Sequence, residues 1–161
     1  MIRSATPADL PLILSFIRAL ADYEQLTHEV EATEEKLRAT LFGDKPAAEC
    51  ILAFAADPAN PASPTPAGFA IYFTNYSTFL AKPGLYLEDL FVKPEFRGQG
   101  LGKALLLHLA HLANVRGCGR MEWAVLDWNK PAIAFYESLG AERKTTWQIC
   151  RLTGAALHQY A

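Results

Sequence analysis

The fold is decided by one stretch of sequence, residues 86–107, which reads YLEDLFVKPEFRGQGLGKALLL. An apolar strand pattern runs into Pro94, and an apolar run at the other end predicts a helix. Between them glycine occupies every second position: Gly98, Gly100 and Gly102. Glycine lets backbone N–H groups approach an anion, a helix N-terminus adds partial positive charge, and Arg97 and Lys103 add two cations. The pattern therefore predicts a phosphate-binding loop.

Two better-known glycine loops do not match this stretch. A Walker loop requires glycine where Arg97 stands and Ser or Thr where Ala104 stands. The dinucleotide-binding fingerprint requires a third glycine where Lys103 stands. The remaining alternative is a glycine-rich turn without a ligand, which the agreement of strand, loop, charge and helix disfavours.

Composition sets broad limits on the kind of protein. A chain of 161 residues with 51% apolar residues suits one packed domain, residues 1–161. The net charge of −2 argues against a nucleic-acid partner. Neither a secretory leader nor a stretch long enough to span a membrane is expected. Three cysteines without paired spacing favour a reducing, cytoplasmic location.

The order of predicted elements gives the fold class, a mixed α/β protein with a strand-helix-strand-helix unit at its centre. The predicted elements are strand 1–4, helix 10–23, helix 33–41, strands 49–56, 68–76 and 85–92, helix 100–115, strand 121–126, helix 132–139 and strand 147–152. Segment 57–67 contains four prolines and predicts a hairpin loop that joins no ladder. Helix 100–115 is apolar almost all round, which predicts extensive burial, and the apolar run in strand 121–126 predicts an interior position.

An acidic pair interrupts the strand that precedes the glycine loop. Glu88 and Asp89 lie in an otherwise apolar strand, which is costly unless they face water or a ligand. Because side chains alternate along a strand, we expect only one of the two to face a cleft, and the residues alone do not decide which. A second acidic stretch, residues 23–31, fits either a solvated connector or one lip of a cleft for a cationic substrate, and the sequence favours the connector.

The motifs together resemble a known family. The block Tyr-Leu-Glu-Asp-Leu-Phe-Val followed by Arg-x-x-Gly-x-Gly resembles motif A of the GNAT N-acetyltransferase superfamily, and segment 128–141 resembles its second CoA motif. Segments 21–24 and 125–129 extend the resemblance to the diamine and thialysine N-acetyltransferase branch over nearly the whole chain. The resemblance implies the GNAT fold, a mixed and mostly antiparallel sheet flanked by helices, with a central β-α-β-α unit that binds acetyl-CoA.

The resemblance also implies roles for individual residues. An amine would attack the thioester directly through a tetrahedral intermediate, with Glu88 as the water-linked base and Tyr136 as proton donor to the thiolate. The cofactor-binding residues implied are Leu90, Phe91, Val92, Arg97, Gly98, Gln99, Gly100, Leu101, Gly102, Lys103, Asn129, Pro131, Ala132 and Tyr136. Asn129 would also cap its helix, and a bulge near residues 90–92 would free backbone N–H groups. The substrate-binding residues implied are Tyr23, Glu24, Glu88, Asp89, Glu122, Trp123 and Ala124.

The implied substrate is a primary amine of a small cationic molecule, a diamine, polyamine or lysine analogue, and the implied assembly is a homodimer. No metal is expected, since His108 and His111 lack the spacing of two ligands on a helix. Arg143 and Lys144 depart from the polyamine enzymes' pattern and would repel a polyamine. The alternatives are a peptide or protein N-acetyltransferase and a non-catalytic acyl-CoA-binding module.

Overall fold

A computed structural model describes residues 1–56 and 63–161 of the chain. These residues form two compact units, 1–124 and 125–161. The glycine loop and its strand belong to the first unit. Six residues of the proline-rich segment, 57–62, lie outside the described residues, so the prediction for that part of the loop is not addressed.

The first unit is built on one five-stranded sheet with the order β1-β2-β3-β4-β5. Its strands are β1 (Ile2–Ser4), β2 (Glu49–Ala55), β3 (Thr65–Ser77), β4 (Lys82–Val92) and β5 (Met121–Trp123). Neighbouring strands from β1 to β4 are antiparallel, while β4 and β5 are parallel. This confirms a mixed and mostly antiparallel sheet, in which the parallel pair β4 and β5 is joined by a crossover connection that contains a helix.

Five α-helices accompany the sheet in the part of the chain that the structure describes. They are α1 (Leu10–Tyr23), α2 (Glu34–Phe42) and α3 (Leu101–Val115) in the first unit, and α4 (Lys130–Ser138) and α5 (Gly154–His158) in the second. A 3-10 turn, Pro7–Asp9, leads into α1, and the Asp9 carboxylate accepts a hydrogen bond from the Thr6 N–H and pairs with Arg3. None of the helices in residues 1–56 and 63–161 has the length and hydropathy needed to cross a membrane.

The main core lies between α1, α2 and one face of β2, β3 and β4. At its centre the rings of Phe16 and Phe69 stack with centroids 5.5 Å apart. α3 packs against the same three strands. The helix was expected to be extensively buried, but only one of its faces is covered in the described residues. Leu105, Leu106, Leu109 and Ala113 are buried, whereas Leu107 is 48% exposed. The apolar composition of the helix therefore exceeds what the sheet covers.

Two predicted loop residues belong to a strand. Thr65 and Pro66 pair with Ala55 and Phe54, although the segment was expected to join no ladder. A bulge in the β2–β3 pairing skips Ala67. Proline is tolerated beside a bulge, where a ladder hydrogen bond is already interrupted.

A strand is present where residues 121–126 were predicted to form one, but its predicted length and interior position were wrong, and the strand predicted at 147–152 is absent from the described residues. β5 ends at Trp123 and lies at the edge of the sheet, and a turn closed by a hydrogen bond from the Asn129 N–H to the Leu126 carbonyl oxygen follows it. Residues 147–152 form no strand, and Trp147 and Ile149 are 78% and 72% exposed. An alternating pattern specifies a strand only where a partner strand and a core exist for it.

Candidate functional site

The acidic pair sits at a bulge in β4. Ile71 of β3 pairs with Asp89 and the next residue, Tyr72, pairs with Leu87, so Glu88 has no partner across the ladder. A bulge interrupts the alternation of side chains, and two neighbouring residues can then point toward one side. Glu88 and Asp89 accordingly both line one cleft, which corrects the expectation that only one of them would. The bulge lies two residues before the region 90–92 where the resemblance implied it.

The cleft has a volume of about 430 Å³ and lies between β4 and the C-terminal end of α1. Five carboxylates line it: Glu24, Glu29, Glu31, Glu88 and Asp89. Its remaining walls are apolar: Ile17, Leu20, Ala21, Leu26, Val30 and Ala32. No basic residue is among these lining residues, although Lys36 reaches the outer carboxylate of Glu31 at 3.6 Å. The cleft is therefore suited to a cation with an aliphatic body.

Two carboxylates of the cleft, Glu29 and Glu31, were not among the predicted site residues, whereas Glu24 was. The sequence favoured residues 23–31 as a solvated connector, whereas the structure makes Glu24, Glu29 and Glu31 part of the cleft wall. The stretch turns back because Gln25 adopts a left-handed conformation, φ 62°, directly after α1. The signal in the sequence was an acidic run without balancing cations, placed between two helices.

Burial shapes the electrostatics of this cleft. Burial, together with the neighbouring negative charges of Glu88 and Glu24, raises the pKa of Asp89 from 3.8 to about 6. Burial also raises the pKa of Glu24 above its ordinary value. Carboxylates held close together in a partly desolvated site favour a bound cation, because the cation removes their mutual repulsion. A cleft of this kind binds positive charge more readily than an exposed acidic patch.

β4 and β5 stop pairing just before the acidic pair. The ladder between these two strands ends at Leu87 and Trp123. Farther along β4, the Lys93 N–H donates to the Ala67 carbonyl oxygen of β3 at 2.9 Å. Backbone hydrogen bonding alternates along an antiparallel pair, so the N–H groups of Leu90 and Val92 point away from β3. They point to the side of β4 on which β5 no longer pairs with it. The divergence of two strands thus provides the outward N–H groups that the resemblance attributed to a local bulge.

The glycine loop connects β4 to α3 in an open conformation. Gly98 and Gly100 have φ values of 76° and 78°, which side chains rarely adopt, and an added Cβ would have no atom within 4 Å. Gly100 is the N-cap of α3, whose first helical hydrogen bond runs from the Ala104 N–H to the Gly100 carbonyl oxygen. The N–H groups of the first turn, from Leu101 to Lys103, therefore have no partner within the helix. Space, free backbone donors and the helix dipole meet at one place, as an anion-binding loop requires.

Arg97 links this loop to the acidic cleft. Its Nε donates to the Val92 carbonyl oxygen at 3.0 Å, and its guanidinium lies 4.6 Å from the ring centroid of Tyr23, the last residue of α1. The same guanidinium lies 5.7 Å from the Phe91 ring centroid. Of the residues predicted to bind cofactor or substrate, Arg97 and Tyr23 are thus in direct contact.

The residues predicted from β5 lie apart from the cleft lining. Glu122 forms an ion pair with Arg120 at 2.7 Å and accepts a hydrogen bond from Asn75 at 3.2 Å. Trp123 ends β5, and Ala124 follows it. Their predicted role in substrate binding stays a prediction.

The second unit carries the remaining predicted residues. The Asn129 side chain accepts a hydrogen bond from the Ala132 N–H at 3.3 Å, so it caps α4 as expected, and Pro131 lies in the first turn. Tyr136 is half-buried on α4, and burial raises the pKa of its phenol.

Arg143 and Lys144, the two cations that depart from the polyamine enzymes' pattern, each form an ion pair within the second unit. Arg143 pairs with Glu137 at 2.7 Å, and Lys144 pairs with Glu142 at 2.7 Å. Each positive charge therefore has a carboxylate beside it, which weakens the repulsion that was expected against a cationic substrate.

Comparisons with known proteins agree with the geometry. The family model described as Acetyltransferase (GNAT) family matches residues 16–141. The chain is 41% identical to the thialysine N-epsilon-acetyltransferase of Bos taurus, over 100% of this chain and 96% of that protein. It is 39% identical to the L-ornithine N5-acetyltransferase NATA1 of Arabidopsis thaliana, over 97% of this chain and 85% of that protein.

A solved structure has the same architecture over almost the whole chain. The integron cassette protein VCH_CASS6, from the mobile metagenome of V. cholerae, superposes with a TM-score of 0.78 at 27% identity, covering 99% of this chain and 96% of that one. With the family model spanning most of the sequence and relatives near 40% identity over its full length, this chain belongs to the GNAT acetyltransferase family and is an acetyltransferase.

Proposed function

We propose that the chain transfers an acetyl group from acetyl-CoA to a primary amine of a small cationic molecule, a short diamine or a lysine analogue. The observation that carries this proposal is the cleft lined by five carboxylates, built on the strand that leads into the glycine loop. Members of the family use acetyl-CoA as co-substrate, and relatives at 39–41% identity are named for acetylating thialysine and ornithine. An acidic cleft with apolar walls suits the cationic alkyl chain of such a molecule.

The co-substrate would be held by the backbone of the first unit. The open conformation of Gly98 and Gly100 supports a role in binding the diphosphate, with the first-turn N–H groups of α3 as donors and Lys103 as a nearby cation. The outward N–H groups of Leu90 and Val92 would bind the carbonyl oxygens of the pantetheine arm and of the acetyl group. This arrangement would bring the acetyl carbon to the β4 edge beside Glu88.

Glu88 would prepare the amine for attack. An alkyl amine with a pKa near ~10.4 is almost wholly protonated at neutral pH, so it must lose a proton before it can attack a thioester. Glu88 is the more exposed of the two neighbouring carboxylates, which supports its role as the base that accepts this proton through water. Asp89 and Glu24, which are more buried, would hold a second positive charge of the substrate.

Tyr136 would supply the proton that the departing thiolate needs after attack through a tetrahedral intermediate. A raised pKa keeps its phenol protonated at neutral pH, as a proton donor must be. We also propose that the enzyme acts as a homodimer in the cytoplasm, without nucleic-acid or membrane partners. This part of the proposal rests on the family resemblance and on composition.

The proposed function is tested by an acetyl-CoA-dependent amine screen with detection of the free thiol. We expect kcat/KM for 1,5-diaminopentane to exceed that for pentylamine about tenfold or more, since only the diamine keeps a second ammonium for the buried carboxylates. A peptide with a free N-terminus serves as the comparison for the protein-acetylation alternative. Absence of thiol release with every small amine, or a clear preference for the peptide, would refute the proposal.

Replacing the Tyr136 phenol separates an enzyme from an acyl-CoA-binding module. We expect Tyr136→Phe to lower kcat about tenfold to a thousandfold, because a proton donor is lost, while the affinity for CoA measured by calorimetry changes little. Tyr160→Phe, at an exposed tyrosine near the C-terminus, is the matched control. Equal turnover by the wild type and Tyr136→Phe would argue against a catalytic phenol.

The raised pKa of Asp89 has a consequence for stability. A carboxyl group with a raised pKa binds protons more tightly in the folded chain than in the unfolded one, so stability falls as pH rises from about 4 to about 6. We therefore expect Asp89→Asn to raise the free energy of unfolding by about 1 to 3 kcal/mol at pH 7.5 and to change it little at pH 4. Denaturant unfolding at both pH values checks this, with Asp44→Asn at an exposed loop position as control. A stabilisation of equal size at both pH values would show that ionisation of Asp89 is not its cause.

A further inference from the structure

We propose that Arg97 and Tyr23 form a positioning contact that couples occupancy of the glycine loop to occupancy of the acidic cleft. The inference rests on the proposed function, because it assigns a CoA diphosphate to the loop and an amine to the cleft. It adds that the two ligands tighten each other's binding through one pair of side chains.

The first argument is the position of Arg97. It lies between a short 3-10 turn, Pro94–Phe96, and Gly98, the first of the two glycines with positive φ. The hydrogen bond from its Nε to the Val92 carbonyl oxygen ties the side chain back to the end of β4. Any ordering of the glycine loop by a bound anion therefore also orders the Arg97 side chain.

The second argument is the position of Tyr23. It is the last residue of α1, and the next residue, Glu24, is a half-buried carboxylate in the cleft wall. Leu20 and Ala21 of the same helical turn also line the cleft. A guanidinium lying on the Tyr23 ring, 4.6 Å from its centroid, thus restrains the backbone that carries Glu24.

The contact joins two segments that are distant in sequence and functionally separate. Arg97 faces an aromatic ring with its planar guanidinium, a geometry that lysine cannot reproduce. When one ligand has already ordered the pair, the second ligand has less conformational entropy to remove, which produces positive cooperativity. Such coupling is reciprocal for binding free energies, so it can be measured from either ligand.

The test measures the dissociation constant of CoA by calorimetry with and without saturating 1,5-diaminopentane. CoA without an acetyl group is used because no reaction then consumes the amine. In the wild type we expect the diamine to tighten CoA binding. In Tyr23→Leu we expect this coupling factor to fall about two- to five-fold, the size of a cation–π contact at a partly exposed site.

Additional variants distinguish coupling from a general structural effect. Tyr23→Phe keeps an aromatic face and should retain the coupling, whereas Arg97→Lys should lose it although the charge remains. The double variant Tyr23→Leu with Arg97→Lys should show no further loss beyond Arg97→Lys alone. Tyr76→Leu, at a tyrosine that is 61% exposed on β3, is the control for loss of a surface ring.

Two results would overturn the inference while leaving the proposed function intact. One is an unchanged coupling factor in Tyr23→Leu; the other is additive effects of the two substitutions in an enzyme that still acetylates the diamine. If the wild type neither binds CoA nor acetylates any amine, the proposed function fails first and the inference fails with it.

Discussion

The bulge at Glu88 is the feature on which the rest of the site depends. In a regular strand, neighbouring side chains point to opposite faces, and one carboxylate of the Glu88–Asp89 pair would be directed away from the cleft. Glu88 is left out of the pairing between β4 and residues Ile71 and Tyr72 of β3, so Glu88 and Asp89 both line the cleft. The other wall of the cleft is formed by the end of α1 and the segment that follows it. A single irregularity of pairing thus determines how much negative charge the cleft contains.

This concentration of charge opposes folding and favours binding. Asp89 is half-buried beside two other carboxylates, and both burial and their repulsion raise its pKa to about 6. At neutral pH the empty cleft therefore holds a carboxylate in an unfavourable setting. A bound cation reduces the repulsion between the carboxylates. The electrostatic free energy that destabilises the empty protein is therefore recovered as binding free energy in the complex. Trade-offs of this kind between stability and function are common in preorganised binding sites.

The sequence predicted those parts of the fold that follow from local chemistry. The helix that begins at the glycine loop and the order of strands and helices up to α4 follow from local signals and were predicted correctly, and the Asn129 cap that the resemblance implied is present. The bulge at Glu88 was not, because a register shift depends on how β3 and β4 pair along their whole length. The lip at residues 23–31 was read as a connector, since only the left-handed turn at Gln25 directs it back toward β4. Residues 147–152 show the opposite error, in which a strand-like pattern was given more weight than the need for a partner strand.

The central claim is that Glu88 and Asp89 share one cleft, where Glu88 acts on the reacting amine and Asp89 holds the second positive charge, and substrate discrimination tests it directly. The measurement is the ratio of kcat/KM for 1,5-diaminopentane to that for pentylamine, taken for the wild type, Glu88→Gln and Asp89→Asn. Loss of a base slows both amines alike and cancels in the ratio, so the ratio reports only recognition of the second charge. The account predicts that Glu88→Gln lowers kcat/KM for both amines and leaves the ratio nearly unchanged, whereas Asp89→Asn lowers the ratio; an unchanged kcat/KM in Glu88→Gln or an unchanged ratio in Asp89→Asn would contradict it.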